Sequence, residues 1–398
     1  MNGISVAVSS LTLASSFLSW CGCILIFGTW LFFKDIRSSS RRLLLYLALA
    51  DFLIALGNAS GAIRSLGQSN DTNSSAESQC ENPTAFCKAQ SFIITFGSMS
   101  SFFWTMIIAW QVRETILHAE RTGWTERHHW LLHVIAWGIP VIILTVTLSL
   151  DMLGYQELPT DNSSNSTISD KSVFGTTGGW CWIKVCQNKT VTPVGEVVTL
   201  TLLAGKGWEL GAMVVLPLIY CSMKIKLRKT IKQTGSLFID RETLSAVKKT
   251  DRVMTAVPVV FFLLRLAGTL RYLANTIVWI GDIDPPSSFN IFFNKALAIY
   301  QAVGDSGQGF GNFIIYCVLT DILRERICTK LGFCKKDMST KRYHITAPYV
   351  DELDDGSDRP TTTENSSDSD STDMYSSAAG ETTPILRDKS SHTYTPTN

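Results

Sequence analysis

The chain is 398 residues long, 45% hydrophobic and only 17% charged, whereas soluble domains carry about 25% charged residues. Its formal net charge of +1 gives no reason to expect a nucleic-acid partner. Without a CxxC pair, an HExxH or a P-loop pattern, it also lacks the common signatures of soluble enzymes.

Seven apolar runs follow one another, at residues 6–33, 43–65, 86–112, 130–150, 197–223, 253–280 and 291–319. A helix of about 20 apolar residues crosses a hydrocarbon core roughly 30 Å thick. No water is present there to bond the backbone, so such runs must be helical. The expected fold class is an all-α membrane protein with a seven-transmembrane-helix bundle at 1–320. A short amphipathic helix on the inner leaflet at 321–334 and a disordered tail at 335–398 complete the expected domains. The first run is about twice too long for a signal-peptide core, has no basic leader, and ends on Lys34, Arg37, Arg41 and Arg42. It is expected to be the first span, entered from outside after only about five residues.

Charge sets the expected orientation. Basic residues concentrate in the loops 34–42, 113–127 and 224–252, which places those loops in the cytosol. The alternate loops carry sequons at Asn70, Asn73, Asn162, Asn165 and Asn188, acceptors only outside the cytosol. Sequons at Asn58, inside a span, and Asn365, in the tail, are expected to stay unused. The amino terminus then lies outside and the carboxyl terminus in the cytosol. Cys80, Cys87, Cys181 and Cys186 fall on the outer side, where disulfides persist. A Cys87–Cys181 bridge is expected, against the alternative of unlinked thiols, and would tether the second outer loop over the bundle mouth. Cys80 with Cys186 is a further suggestion, since spacing cannot fix connectivity. Cys21, Cys23, Cys221 and Cys317 lie within spans as packing residues, while Cys328 and Cys334, beside basic residues, are candidate lipidation sites. The tail, rich in Ser, Thr and Asp, cannot bury enough apolar surface to offset its ordering entropy, and its hydroxyls beside acids suit kinases.

Ionisable residues inside spans are costly, so they usually face the bundle interior and pair. Asp51, Lys206, Glu209, Arg265 and Asp305 come out near mid-depth, three acids facing two bases. Arg64, Arg271 and Lys295 lie nearer the outer surface. Lys295 is too shallow on the seventh span to hold retinal. Glu209 and Arg265 are expected to pair across the fifth and sixth helices and to hold a resting state, which leaves Arg271 to meet an anionic ligand group. Trp104, Trp208 and Gln308 complete the candidate ligand or switch set. No cofactor and no metal are expected.

The segments RRLLLYLALADFLIALGN, SSFFWTMIIAW, TLLAGKGWEL and LLRLAGTLRYL resemble the helices of a vertebrate family of orphan receptors, the G-protein-coupled receptor 157 family. The likeness runs from about Lys34 to Thr320 and includes Trp180-Cys181-Trp182. Gly307-Gln308-Gly309-Phe310, followed by Tyr316, Cys317 and Leu319, looks more broadly like the seventh helix of secretin-type and slime-mould cyclic-AMP receptors. Gln111, Val112, Arg113 and Glu114 stand where rhodopsin-type receptors have Asp-Arg-Tyr, and the seventh span has no Asn-Pro-x-x-Tyr, so rhodopsin-type switches do not transfer. A cysteine-rich hormone-binding ectodomain is also missing, which favours a small ligand that reaches the bundle directly. The resemblance implies a plasma-membrane receptor that activates a heterotrimeric G protein, with membrane lipid around it and receptor kinases and arrestin on its tail. Pro258 and Gly268 offer bending points in the sixth helix. The competing expectation is a transporter or channel that uses the intramembrane charges; no internal repeat supports it.

Overall fold

A computed structural model describes residues 3–34, 39–68, 84–117, 128–154, 181–184, 186–187, 190–191, 193–233, 241–281 and 287–320, with residues 324 and 329. The chain divides into two units, Met1–Tyr343 and His344–Asn398, and the second lies outside the described residues. So do the five outer sequons, Cys80, Cys328, Cys334, the tail and nearly all of 321–334.

Among the described residues, seven helical runs build the first unit. Gly3–Phe32, Ser39–Gln68 and Ala85–Leu117 are the first three, and Arg241–Gly281 is the sixth. Consecutive helices pack side by side, the seventh closes the ring on the first, and the third is central, touching the second, fourth and fifth. Among the described residues, six helices are long and apolar enough to cross a membrane: Ser5–Phe32, Arg41–Gly67, Ala85–Glu114, His129–Ser149, Val194–Lys229 and Ala256–Val278. The seventh run differs from the continuous span expected at 291–319. It is split at Gly307 into Ser287–Ser306 and Gln308–Phe313, followed by a π turn at Ile314–Val318. Asp305 and Lys295 dilute its apolar character, and the break shortens each piece.

Helix breaks leave backbone groups without partners, and in a membrane other side chains must supply them. Ser19 of the first helix does so at Gly307: its hydroxyl donates to Ser306 O at 2.5 Å and accepts from Phe310 N at 3.4 Å. Close approach makes this possible, because a Cβ on Gly309 would stand 2.7 Å from Cys23 Sγ. The sixth and seventh helices are closer still, since a Cβ on Gly304 would collide with the Leu264 carbonyl oxygen. The fifth run is broken too. Val194–Thr201 passes through a π turn at Leu202–Lys206, where Gly205 leaves the helical region, before Gly207–Gln233 resumes. There Trp208 Nε1 donates to the Leu203 carbonyl at 2.9 Å.

The apolar core lies between helices. Phe102, Leu216, Met223 and Phe261 join the third, fifth and sixth; Leu43, Leu47, Trp104 and Ala136 join the second, third and fourth. At one end of the bundle Cys87 and Cys181 form a disulfide with Cα atoms 5.5 Å apart. Two short antiparallel ladders interrupt the helical pattern at that end, Leu153–Gly154 with Trp182–Ile183 and Cys186–Gln187 with Thr190–Val191.

Candidate ligand-binding site

The fourth helix ends in a Schellman arrangement, with Asp151 N donating to Leu148 O and Met152 N to Thr147 O, each at 3.0 Å. Glycine usually occupies the left-handed position of that motif; here Asp151 does, at φ 54. Its carboxylate accepts from Lys88 at 2.5 Å and from Lys184 at 3.0 Å. The Lys88 hydrogen bond, helped by Lys184 and opposed by partial burial, holds the Asp151 carboxyl below the usual carboxylate range. With the disulfide and a 2.6 Å bond from Ser91 Oγ to Trp182 O, this pins the strand Trp182–Ile183 across the bundle.

Beneath that strand lies a cavity with about 100 Å³ open to the centres of water-sized molecules. Cys181 and Trp182 form its roof, and the second, third, fifth, sixth and seventh helices its walls. Five residues of the expected set line it: Lys206, Glu209, Arg265, Arg271 and Asp305. Three bases against two acids leave the lining with a positive excess.

The pairing departs from the sequence reading. Glu209 does not meet Arg265. Its carboxylate takes Lys206 Nζ at 3.0 and 2.9 Å and the hydroxyl of Thr269. Arg265 turns instead to the seventh helix, donating from Nη1 to Asp305 at 3.2 Å and from Nε to Gln308 Oε1 at 3.0 Å, with its guanidinium 5.0 Å above the Phe102 ring. The break at Gly205 explains the first difference, since it sets Lys206 and Glu209 together at the start of a new helix segment. The fifth and sixth helices are still bridged, through neutral Thr269, one turn from Arg265. Arg271 is not left to itself either: Nη1 donates to Gln301 Oε1 at 3.1 Å, and Gln301 Nε2 donates to Asp305 at 2.9 Å.

From Arg265 the network continues away from the cavity. Gln308 Nε2 donates to Ser101 Oγ at 2.7 Å, Ser101 to Asp51 at 2.7 Å, and Asn312 Nδ2 to the other Asp51 oxygen at 2.6 Å. Gln308 and Asp51 therefore belong to the network without lining the cavity. Trp104 and Trp208 lie apart from it; Trp104 packs between Tyr46, His133 and Trp137, and Trp208 against Phe103. Arg64 sits over Phe86, and Lys295 is exposed; neither lines the cavity.

Sequence reasoning missed the neutral lining. Thr95, Tyr272, Asn275 and Gln301 face the cavity, and Thr95 Oγ1 is buried with no protein partner. A signal was present: Gln301, Asp305 and Gln308 recur at i, i+4 and i+7, as do Arg265, Thr269 and Tyr272, which puts each trio on one helix face.

The sequence profile of the seven-transmembrane receptors of the secretin family matches residues 5–203, half of the chain. The chain belongs to that family. As a family member it is a multi-pass membrane receptor, and its relatives extend the likeness to the remaining helices. It is 29% identical to G-protein coupled receptor 157 of Homo sapiens over 322 residues, covering 80% of this chain and 82% of the relative. With the Mus musculus protein of the same name it shares 28% over 337 residues, 82% and 86% of the two chains. A shorter match, 24% over 175 residues, joins it to cyclic AMP receptor 4 of Dictyostelium discoideum, covering 44% and 32%.

Proposed function

We propose that this receptor acts at the plasma membrane, amino terminus outside, binds a small ligand bearing an anionic group in the roofed cavity, and activates a heterotrimeric G protein. It is not an enzyme in this reading. The observation that carries the proposal is the continuous hydrogen-bonded path from the cavity wall at Arg265 through Gln308 and Ser101 to Asp51 and Asn312. A ligand shifts a receptor only as far as it prefers one arrangement of the helices. An anionic group placed among Lys206, Arg265 and Arg271 would compete with Asp305 and Gln301 for the two guanidinium groups and so reach that path directly. The alternating loop charge and the outer sequons support the orientation. The juxtamembrane stretch 321–334 would lie on the inner leaflet, and the tail from 335 would serve receptor kinases and arrestin.

A second-messenger panel, calcium and then cyclic AMP, in cells expressing the chain tests the reading, with a library of small carboxylates and phosphates as probes. A response that disappears in Arg265→Gln and Arg271→Gln supports it; responses only to cationic or uncharged compounds overturn the ligand class. The interrupted fifth and seventh helices also suit a transport path, since transporters place broken helices at their sites. Ion flux in liposomes holding the purified protein would favour that alternative.

A further inference from the structure

The fourth helix begins on two histidines one turn apart, His129 and His133, outside the ligand cavity and its network. Their Nε2 atoms stand 3.2 Å from one another, with ring centroids 4.4 Å apart and planes at 62°. Two imidazole nitrogens bound to one ion at about 2.0–2.1 Å with a near-tetrahedral angle stand roughly 3.3 Å apart. The separation is therefore that of a chelate as well as that of a hydrogen bond. Histidines at i and i+4 on one helix face are also the spacing by which helical zinc sites take their first two ligands. The pair is held in place. The Tyr46 ring of the second helix meets the His133 ring edge-on at 4.6 Å and lies 6.2 Å from His129, and Trp104 of the third helix stands 5.2 Å from His133.

The geometry points to a binding site for a divalent transition ion, of the copper or zinc type, at the start of the fourth helix. His129 Nε2 and His133 Nε2 are its two protein ligands. Among the described residues no group of three or more His, Cys, Asp or Glu converges, so water fills the remaining positions and the ion stays exchangeable. In the ion-free pair one Nε2–H donates to the other Nε2. Binding needs both lone pairs, so that proton moves to Nδ1 of its own ring and none is released from the neutral imidazoles. Neutral nitrogen donors select copper and zinc over calcium and magnesium, which prefer oxygen. Arg42 lies within electrostatic reach of His133 and opposes any cation bound there, so affinity rests on the two nitrogen–metal bonds. An ion here bridges the first and second turns of the fourth helix where they pack on Tyr46 and Trp104, and so stiffens that junction of three helices.

The test uses the full-length receptor purified in nanodiscs and titrated with Cu²⁺, with electron spin echo spectroscopy to count imidazole nitrogens on the ion. The expected spectrum shows two imidazoles on one Cu²⁺, and Zn²⁺ displaces it. His129→Ala and His133→Ala each abolish the two-nitrogen signal and weaken binding by more than the roughly 10–100-fold that loss of an outer-shell partner costs. His128→Ala retains both signal and affinity. Size-exclusion profiles and helical circular dichroism establish that each variant is folded, and Tyr46→Phe, which keeps both ligands, serves as the packing control and retains binding. A two-imidazole signal that survives in folded His129→Ala or His133→Ala, or a wild-type signal from one imidazole only, overturns the site.

Discussion

Arg265→Gln isolates the charge at the centre of the network. Side-chain exposure is 4% for Arg265 and 16% for Asp305, so the arginine is the more desolvated partner. Breaking a buried pair from one side costs about 3–5 kcal/mol, because a charge is left uncompensated. Arg265→Gln leaves a partly exposed Asp305 that still accepts from Gln301 at 2.9 Å, which points to the lower end. Asp305→Asn strands the guanidinium, which then keeps its bond to Gln308 and its place over the Phe102 ring, and this points to the upper end. The double variant removes both charges, so its loss should fall below the sum of the singles by about 1–3 kcal/mol. The same cycle between Arg265 and Glu209, which share Thr269 but do not pair, should show a smaller coupling than that between Arg265 and Asp305. Denaturant unfolding in mixed micelles measures both cycles. Additive losses for Arg265 with Asp305, together with strong coupling between Arg265 and Glu209, would refute the pairing and restore the simpler depth-based assignment.

Three further outcomes follow from the packing, the relay and the lid. Gly304→Ala should lose at least the about 1–3 kcal/mol typical of overpacking, since its Cβ would meet backbone at Leu264 O; Gly67→Ala, with nothing within 4 Å, should stay neutral in thermal stability. Gln308→Leu leaves Ser101 and Arg265 short of a partner, and should lower stability by about 1–3 kcal/mol while changing ligand-independent second-messenger output; unchanged output would remove Gln308 from the signalling path. Asp151 has its folded carboxyl held below the ordinary range, so its contribution is complete above about pH 4 and is lost as pH falls through the lowered folded value. Thermal midpoints of the parent and Asp151→Asn should therefore differ by a constant amount from pH 7 to pH 5 and converge only in stronger acid; convergence already at pH 6 would contradict the assignment.

The spans were legible in the sequence because crossing a bilayer is a one-dimensional demand: enough apolar residues in a row, with every backbone group bonded within the helix. The cost of buried charge is similarly local, which is why Lys206, Glu209, Arg265 and Asp305 could be singled out as interior residues before any fold was known. Depth along a helix, however, does not specify direction around it. Whether Arg265 faces Glu209 or Asp305 depends on helix rotation and on the breaks at Gly205 and Gly307, and those breaks survive because Ser19 of the first helix and Trp208, just past the break in the fifth, bond the freed backbone. Gln301, Thr269 and Ser101 carry the links between charges, yet as neutral residues they give little local signal. Only the packed bundle, with the sixth and seventh helices drawn together at Gly304, brings Gln301 within reach of Arg271 and Thr269 within reach of Glu209.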